Sequence, residues 1–195
     1  DDVREETLAA APTERTPGRP RFVWLGRMSP EKRLLPFLEA FVESEVDADL
    51  EIIGDGAQRA SAERIVANLS TVRFAGKLSY RDTLTRIAAA DALVQTSIGF
   101  ETQGMTPFEA ATLGTPSVIS DPDIAAELGG GLWAVPGAAG TEGQRKAGLV
   151  ATLRRAASDI VAGISPQPMR EVSESFRQSS RTAAMIEVYE RVLAG

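Results

Sequence analysis

Residues 21–32 read RFVWLGRMSPEK. A run of aromatic, β-branched and apolar residues ends at Gly26, which permits a tight turn. Ser29 then suits a helix N-cap, and Pro30 suits the first helical position, where no N–H is needed. The reading is a strand that turns directly into a helix.

The same alternation runs outward from this unit. Strands are expected at Arg21 to Leu25, Leu50 to Ile53, Thr71 to Phe74, Ala92 to Gln95, Ser117 to Ile119 and Leu132 to Val135. Helical periods lie between them, at about 31–44, 57–68, 80–90, 107–114, 123–128 and 144–160. Alternating strands and helices imply βαβ units with right-handed crossovers. The predicted fold class is therefore α/β, a doubly wound Rossmann-like parallel sheet of about six strands covered on both faces. In such sheets ligands sit beyond the carboxyl ends of the strands.

The 195 residues, 43% apolar and 25% charged, suit one globular domain. Residues 1–20, with Pro12, Pro17, Gly18 and Pro20, read as an interdomain linker remnant. Residues 21–165 read as the Rossmann-like domain and 166–195 as a C-terminal helical segment, with a last helix over about 170–193. A net charge of −6 argues against a nucleic-acid surface or a polybasic membrane patch. Cysteine and histidine are absent, which removes disulfides, thiolate metal sites, the commonest general base and the usual triads. Any chemistry here falls to carboxylates, Arg, Lys and backbone dipoles. No stretch approaches the roughly 20 apolar residues of a transmembrane segment, and the first ten residues are too acidic for a signal peptide. The expected location is the cytoplasm, with a peripheral membrane position open to the full-length protein.

Two segments at strand ends carry candidate chemistry. Arg27 and Lys32 flank the first helix start, where a guanidinium fork and an ammonium suit a diphosphate; solvated surface cations are the plain alternative. Residues 97–116 read SIGFETQGMTPFEAATLGTP. Thr106 is a natural N-cap before Pro107, so the N–H groups of Gly104, Met105 and Thr106 can face an anion at a helix N-terminus. Thr106 and Glu109 also form a capping-box pattern, which leaves Glu109 a purely structural alternative. Glu101 precedes the cap and serves no evident secondary structure.

Taken in order, Gly26-Arg27 with Glu31-Lys32, residues 50–56 (LEIIGDG), residues 72–76 (VRFAG), Glu101 with Glu109, and residues 114–119 (GTPSVI) resemble the C-terminal domain of family 4 (group 1) retaining glycosyltransferases of GT-B fold. The resemblance implies that Arg27 and Lys32 hold the donor diphosphate after Gly26. It implies that the backbone of Gly104, Met105 and Thr106 approaches the sugar and distal phosphate. Glu101 would contact the donor sugar, Glu109 the ribose hydroxyls, and the turn with Lys77 and Leu78 the base. Catalytic roles thus fall to Glu101, Arg27 and Lys32. The substrate implied is a nucleotide-diphosphate sugar with no required metal or other cofactor, and the acceptor-binding N-terminal domain is missing from this sequence.

Arg33 stands where the family often has glycine, so its charge either reaches phosphate or faces water. Gln103 replaces the usual aromatic or small residue and leaves the sugar open. Asp121-Pro122-Asp123 spells D-x-D, a metal–nucleotide motif in another glycosyltransferase fold; here a helix cap explains it. Gly54-Asp55-Gly56 resembles a dinucleotide fingerprint fragment but follows the second strand instead of the first. The competing functions are a non-catalytic nucleotide-binding or scaffolding module and a related epimerase or phosphorylase.

Overall fold

A computed structural model describes residues 6–7, 18–99, 105–169 and 171. Six strands form one sheet: β1 (Arg21–Leu25), β2 (Asp49–Ile53), β3 (Val72–Gly76), β4 (Ala92–Gln95), β5 (Ser117–Ile119) and β6 (Leu132–Ala134). All pair in parallel, in the order β3-β2-β1-β4-β5-β6. The α/β fold class expected from the sequence is the one observed.

The helices are α1 (Leu34–Ser44), α2 (Arg59–Ile65), α3 (Tyr80–Ala89), α4 (Met105–Thr112), α5 (Pro122–Leu128) and α6 (Glu142–Val161). Strand residues alternate between two apolar layers, as the period of a pleated chain requires. Phe22, Trp24, Leu50 and Ile52 pack with Leu34, Phe37 and Phe41 of α1 and Leu153 of α6. Val23, Ile53 and Leu93 face the opposite way, onto Leu84 and Ile87 of α3 and Ala110 of α4. Phe108, Ile119, Ile124 and Leu128 close the β5 side. Burying a side chain such as Phe37 or Leu38, each 0% exposed, contributes about 2 kcal/mol.

One expected helix is divided in two. Instead of a continuous helix over about 31–44, Pro30–Lys32 form a 3-10 turn and α1 starts at Leu34. Arg33 between them is left-handed, with φ 54 and ψ 34. Ser29 occupies the N-cap position with extended backbone, but its side chain makes no cap hydrogen bond. The α4 helix also starts earlier than expected: Met105 and Thr106 are both helical, so Thr106 lies inside the first turn and not at the cap.

Within the segment read as a linker, residues 6 and 7 are helical. Thr7 is buried, and Glu6 pairs with Arg81 of α3. The expected last helix lies outside the described residues apart from Glu171, which is helical.

Candidate functional site

Crossovers run in opposite directions from β1 and β4, so their carboxyl ends border the switch point of the sheet. Two adjoining cavities open there and share Leu25, Gly26 and Arg27. The one toward β4, about 230 Å³, is also lined by Lys32, Thr96, Met105 and Thr106. The one toward β2 and β3, about 630 Å³, is lined by Gly54, Asp55, Gly56, Lys77, Leu78 and Thr83. The structure thus gathers Gly26, Arg27, Lys32, Met105 and Thr106 around one cavity and sets Lys77 and Leu78 in the next. Glu101 and Gly104 lie outside the described residues.

The Gly26–Met28 loop owes its place to main-chain bonds. Gly26 N donates to Ile53 O at 3.1 Å, Met28 N to Asp55 O at 2.9 Å, and Gln58 N to Met28 O at 3.0 Å. Two glycines make this approach possible. A Cβ on Gly54, where φ is 123, would sit 2.0 Å from Gly26 O, and one on Gly56 would sit 2.6 Å from Met28 O. Gly54-Asp55-Gly56 therefore braces the Arg27 loop. Its glycines are explained by close backbone contact, a function that the sequence motif alone did not disclose.

Arg27 is 73% exposed, and its Nη2 donates to Glu31 Oε1 at 3.0 Å. Ser29 Oγ donates to the same oxygen at 2.6 Å. These partners, Ser29 first, then the residue's own N–H and Arg27, hold the Glu31 carboxyl below its ordinary range. Glu31 thus remains ionised and orients the guanidinium. An exposed pair of this kind is weak, so Arg27 can leave Glu31 at little cost.

Lys32 is fixed through its backbone by a buried relay. Trp24 Nε1 donates to Thr96 Oγ1 at 3.0 Å, and Thr96 Oγ1 donates to Lys32 O at 2.6 Å. Trp24 and Thr96 are both buried. A hydroxyl that accepts one bond and donates another has no rotational freedom left, so the ends of β1 and β4 jointly position the Lys32 turn. Periodicity could not reveal this contact, because Thr96 lies 64 residues from Lys32.

Opposite these cations, the first turn of α4 contributes Met105 and Thr106 to the cavity wall. Glu109, one turn further on, accepts from the Tyr80 hydroxyl at 3.1 Å. Partial burial and this negative neighbour push the Tyr80 phenol above its ordinary range. Asp121 behaves as a cap: its Oδ1 accepts from the N–H groups of Asp123 and Ile124, and its Oδ2 from Gly99 N at 2.7 Å. Both carboxylate oxygens serve the backbone, at the start of α5 and at Gly99 in the loop that follows β4. Arg33 lines neither of these two cavities; it is 21% exposed and pairs with Glu142 of α6.

A family model described as glycosyl transferases group 1 matches residues 7–130. Two curated proteins, GDP-mannose-dependent alpha-(1-6)-phosphatidylinositol dimannoside mannosyltransferases from two strains of Mycobacterium tuberculosis, are 33% identical over 116 residues, which is 58% of this chain and 30% of theirs. A pneumococcal O-GlcNAc transferase solved with UDP and GlcNAc superposes with a TM-score of 0.69 at 18% identity, covering 95% of this chain and 38% of that one. A lipopolysaccharide outer core galactosyltransferase in its apo form gives a TM-score of 0.60 at 25% identity, covering 87% and 48%. The chain spans less than half the length of each of these relatives.

Proposed function

The chain belongs to the group 1 glycosyl transferases and has the Rossmann-like sheet of their GT-B fold; on that premise we propose that it is the donor-binding half of a retaining hexosyltransferase. It binds a nucleotide-diphosphate sugar in the crevice between β1 and β4. An N-terminal domain beyond this sequence supplies the acceptor site across the cleft. The observation that carries this reading is the meeting of Arg27, Lys32 and the first turn of α4 around one cavity at the switch point.

Sugar transfer makes a nucleoside diphosphate the leaving group while the sugar becomes oxocarbenium-like, so the main electrostatic task is to stabilise phosphate charge. Arg27 supplies a fork of donors, Lys32 a point charge, and α4 the positive end of a helix dipole. No metal is assigned a part. Glu101 orients the sugar and supports the positive charge developing on it. The base occupies the larger cavity beside Lys77 and Leu78, and Glu109 meets the ribose by exchanging its Tyr80 partner for a sugar hydroxyl. Because the curated relatives are named as GDP-mannose-dependent, GDP and mannose are the first donor parts to try.

Calorimetric titration of the chain with UDP, GDP and ADP, with and without chelator, tests this reading. One of the three is expected to bind, with affinity unchanged by chelator and no transfer to acceptor by the chain alone. Failure of all three to bind would reject the donor-site reading. Binding abolished by chelator would reject the metal-free part of it.

A further inference from the structure

Among the described residues, Arg33 and Glu45 are the non-glycine positions with positive φ. A side chain bearing a Cβ is disfavoured in that region. Glu45 is left-handed at the C-cap of α1, a place where this conformation is common. Arg33 likewise caps the Pro30–Lys32 turn, its N–H donating to Pro30 O at 3.0 Å, but unlike Glu45 it leads straight into a second helix, where Phe37 N donates to Arg33 O. The Thr96 hydroxyl bonds Lys32 O on one side of it, and on the other the Arg33 side chain has a support of its own. Its guanidinium crosses to the first turn of α6, where Nη2 donates to Glu142 Oε1 at 2.6 Å. That end of α6 is itself fixed by a capping box between Thr141 and Gln144.

We infer that Glu142 is a remote positioning residue for the phosphate cradle: its carboxylate holds Arg33 in the left-handed conformation and so sets the turn that presents Lys32. The inference rests on the donor-site reading above for its functional meaning. A simple tie between α1 and α6 does not account for the pair, since other contacts already join those helices. Lys146 Nζ pairs with Glu43 at 2.8 Å, and Arg154 donates to Ser44 O at 3.0 Å and Glu43 O at 3.2 Å. The Glu142 carboxyl is held below its ordinary range, chiefly by the Arg33 hydrogen bond, so the carboxylate is charged at neutral pH.

The test is a cycle of Glu142→Ala, Arg33→Gly and the double variant, each titrated with UDP, GDP and ADP and each melted, with Lys146→Ala as a control for helix docking. With the tightest of the three nucleotides as probe, Glu142→Ala is expected to weaken binding about fivefold, a fraction of the cost of the left-handed region. Glu142→Gln, which keeps an acceptor oxygen, falls between it and the parent. The double variant recovers, because glycine adopts this conformation without support, and Lys146→Ala binds as the parent does. The inference is overturned if Glu142→Ala binds normally, or if the double variant stays as weak as Glu142→Ala. Should the parent bind none of the three, the donor-site reading falls separately and the melting data decide. Loss of melting temperature from Glu142→Ala in the parent but not in the Arg33→Gly background upholds the holding role; equal loss in both overturns it.

Discussion

On the β1 side of the crevice the Gly26–Met28 loop is held by main-chain hydrogen bonds to residues 53–58, whereas on the β4 side α4 is seated by burial of Phe108, Ala110 and Ala111. Hydrogen-bonded backbones in close contact leave no room for a Cβ, while an apolar helix face tolerates exchange of like volumes. The two walls should therefore fail under different substitutions. The charges they present are a separate matter again, since Arg27 is 73% exposed and bears little of the structure.

Gly54→Ala should do the most damage. The new Cβ would sit 2.0 Å from Gly26 O at a φ that alanine rarely adopts, so a loss on the order of 4 kcal/mol or failure to fold is expected. Chemical denaturation checks it, and a stable Gly54→Ala protein would mean that the β1 wall is not braced as described. Phe108→Ala, at 1% exposure, should cost about 3 kcal/mol, while Phe108→Leu should cost well under half of that in the same assay. Equal losses for the two would erase the contrast between the walls.

Arg27→Ala should leave the melting temperature within about 1 °C of the parent while weakening nucleoside diphosphate binding roughly tenfold to a hundredfold. Calorimetry and melting together check it; a large fall in stability would show that the side chain serves the fold as well as the ligand. The smallest effect concerns pH. Glu31 and Glu142 both have carboxyls lowered from the ordinary 4.5. A carboxyl lowered on folding adds stability above its unfolded value, and that stability is lost as pH falls through the folded value. Both pairs are partly solvent-exposed, so the gain is small. Melting of the parent and Glu142→Gln should differ slightly at about pH 7 and converge at about pH 3.

Much of the sheet was legible because both of its faces are covered. The continuous apolar runs at Arg21 to Leu25, Ala92 to Gln95 and Ser117 to Ile119 have the observed limits. Of the candidate site, the cavity lies at the carboxyl ends of the strands, where the sequence pointed, and Arg27 and Lys32 line it. The supports of that cavity were not legible, because each is a contact between residues remote in sequence. Thr96 with Lys32 and Arg33 with Glu142 are separated by 64 and 109 residues. Local periodicity carries no trace of them, and for the same reason the helical period runs through Arg33 with no sign of the break there. The glycines of residues 54–56 were visible, but their meaning depended on which loop lay against them.

The strand order has a consequence for how the protein is made. The Phe22 to Trp24 stretch of β1 pairs with Ala92 to Val94 of β4, and Arg21 N donates to Asp91 Oδ2 across 70 residues. The smaller cavity spans that seam, with Gly26 and Arg27 on one bank and Thr96 and Met105 on the other. A nascent chain that has emerged only as far as β3 already carries Arg27 and Lys32, yet it lacks the β4 bank of the smaller cavity. That cavity thus awaits translation of β4 and α4, and the growing polypeptide displays Arg27 and Lys32 well before it has the wall that will face them.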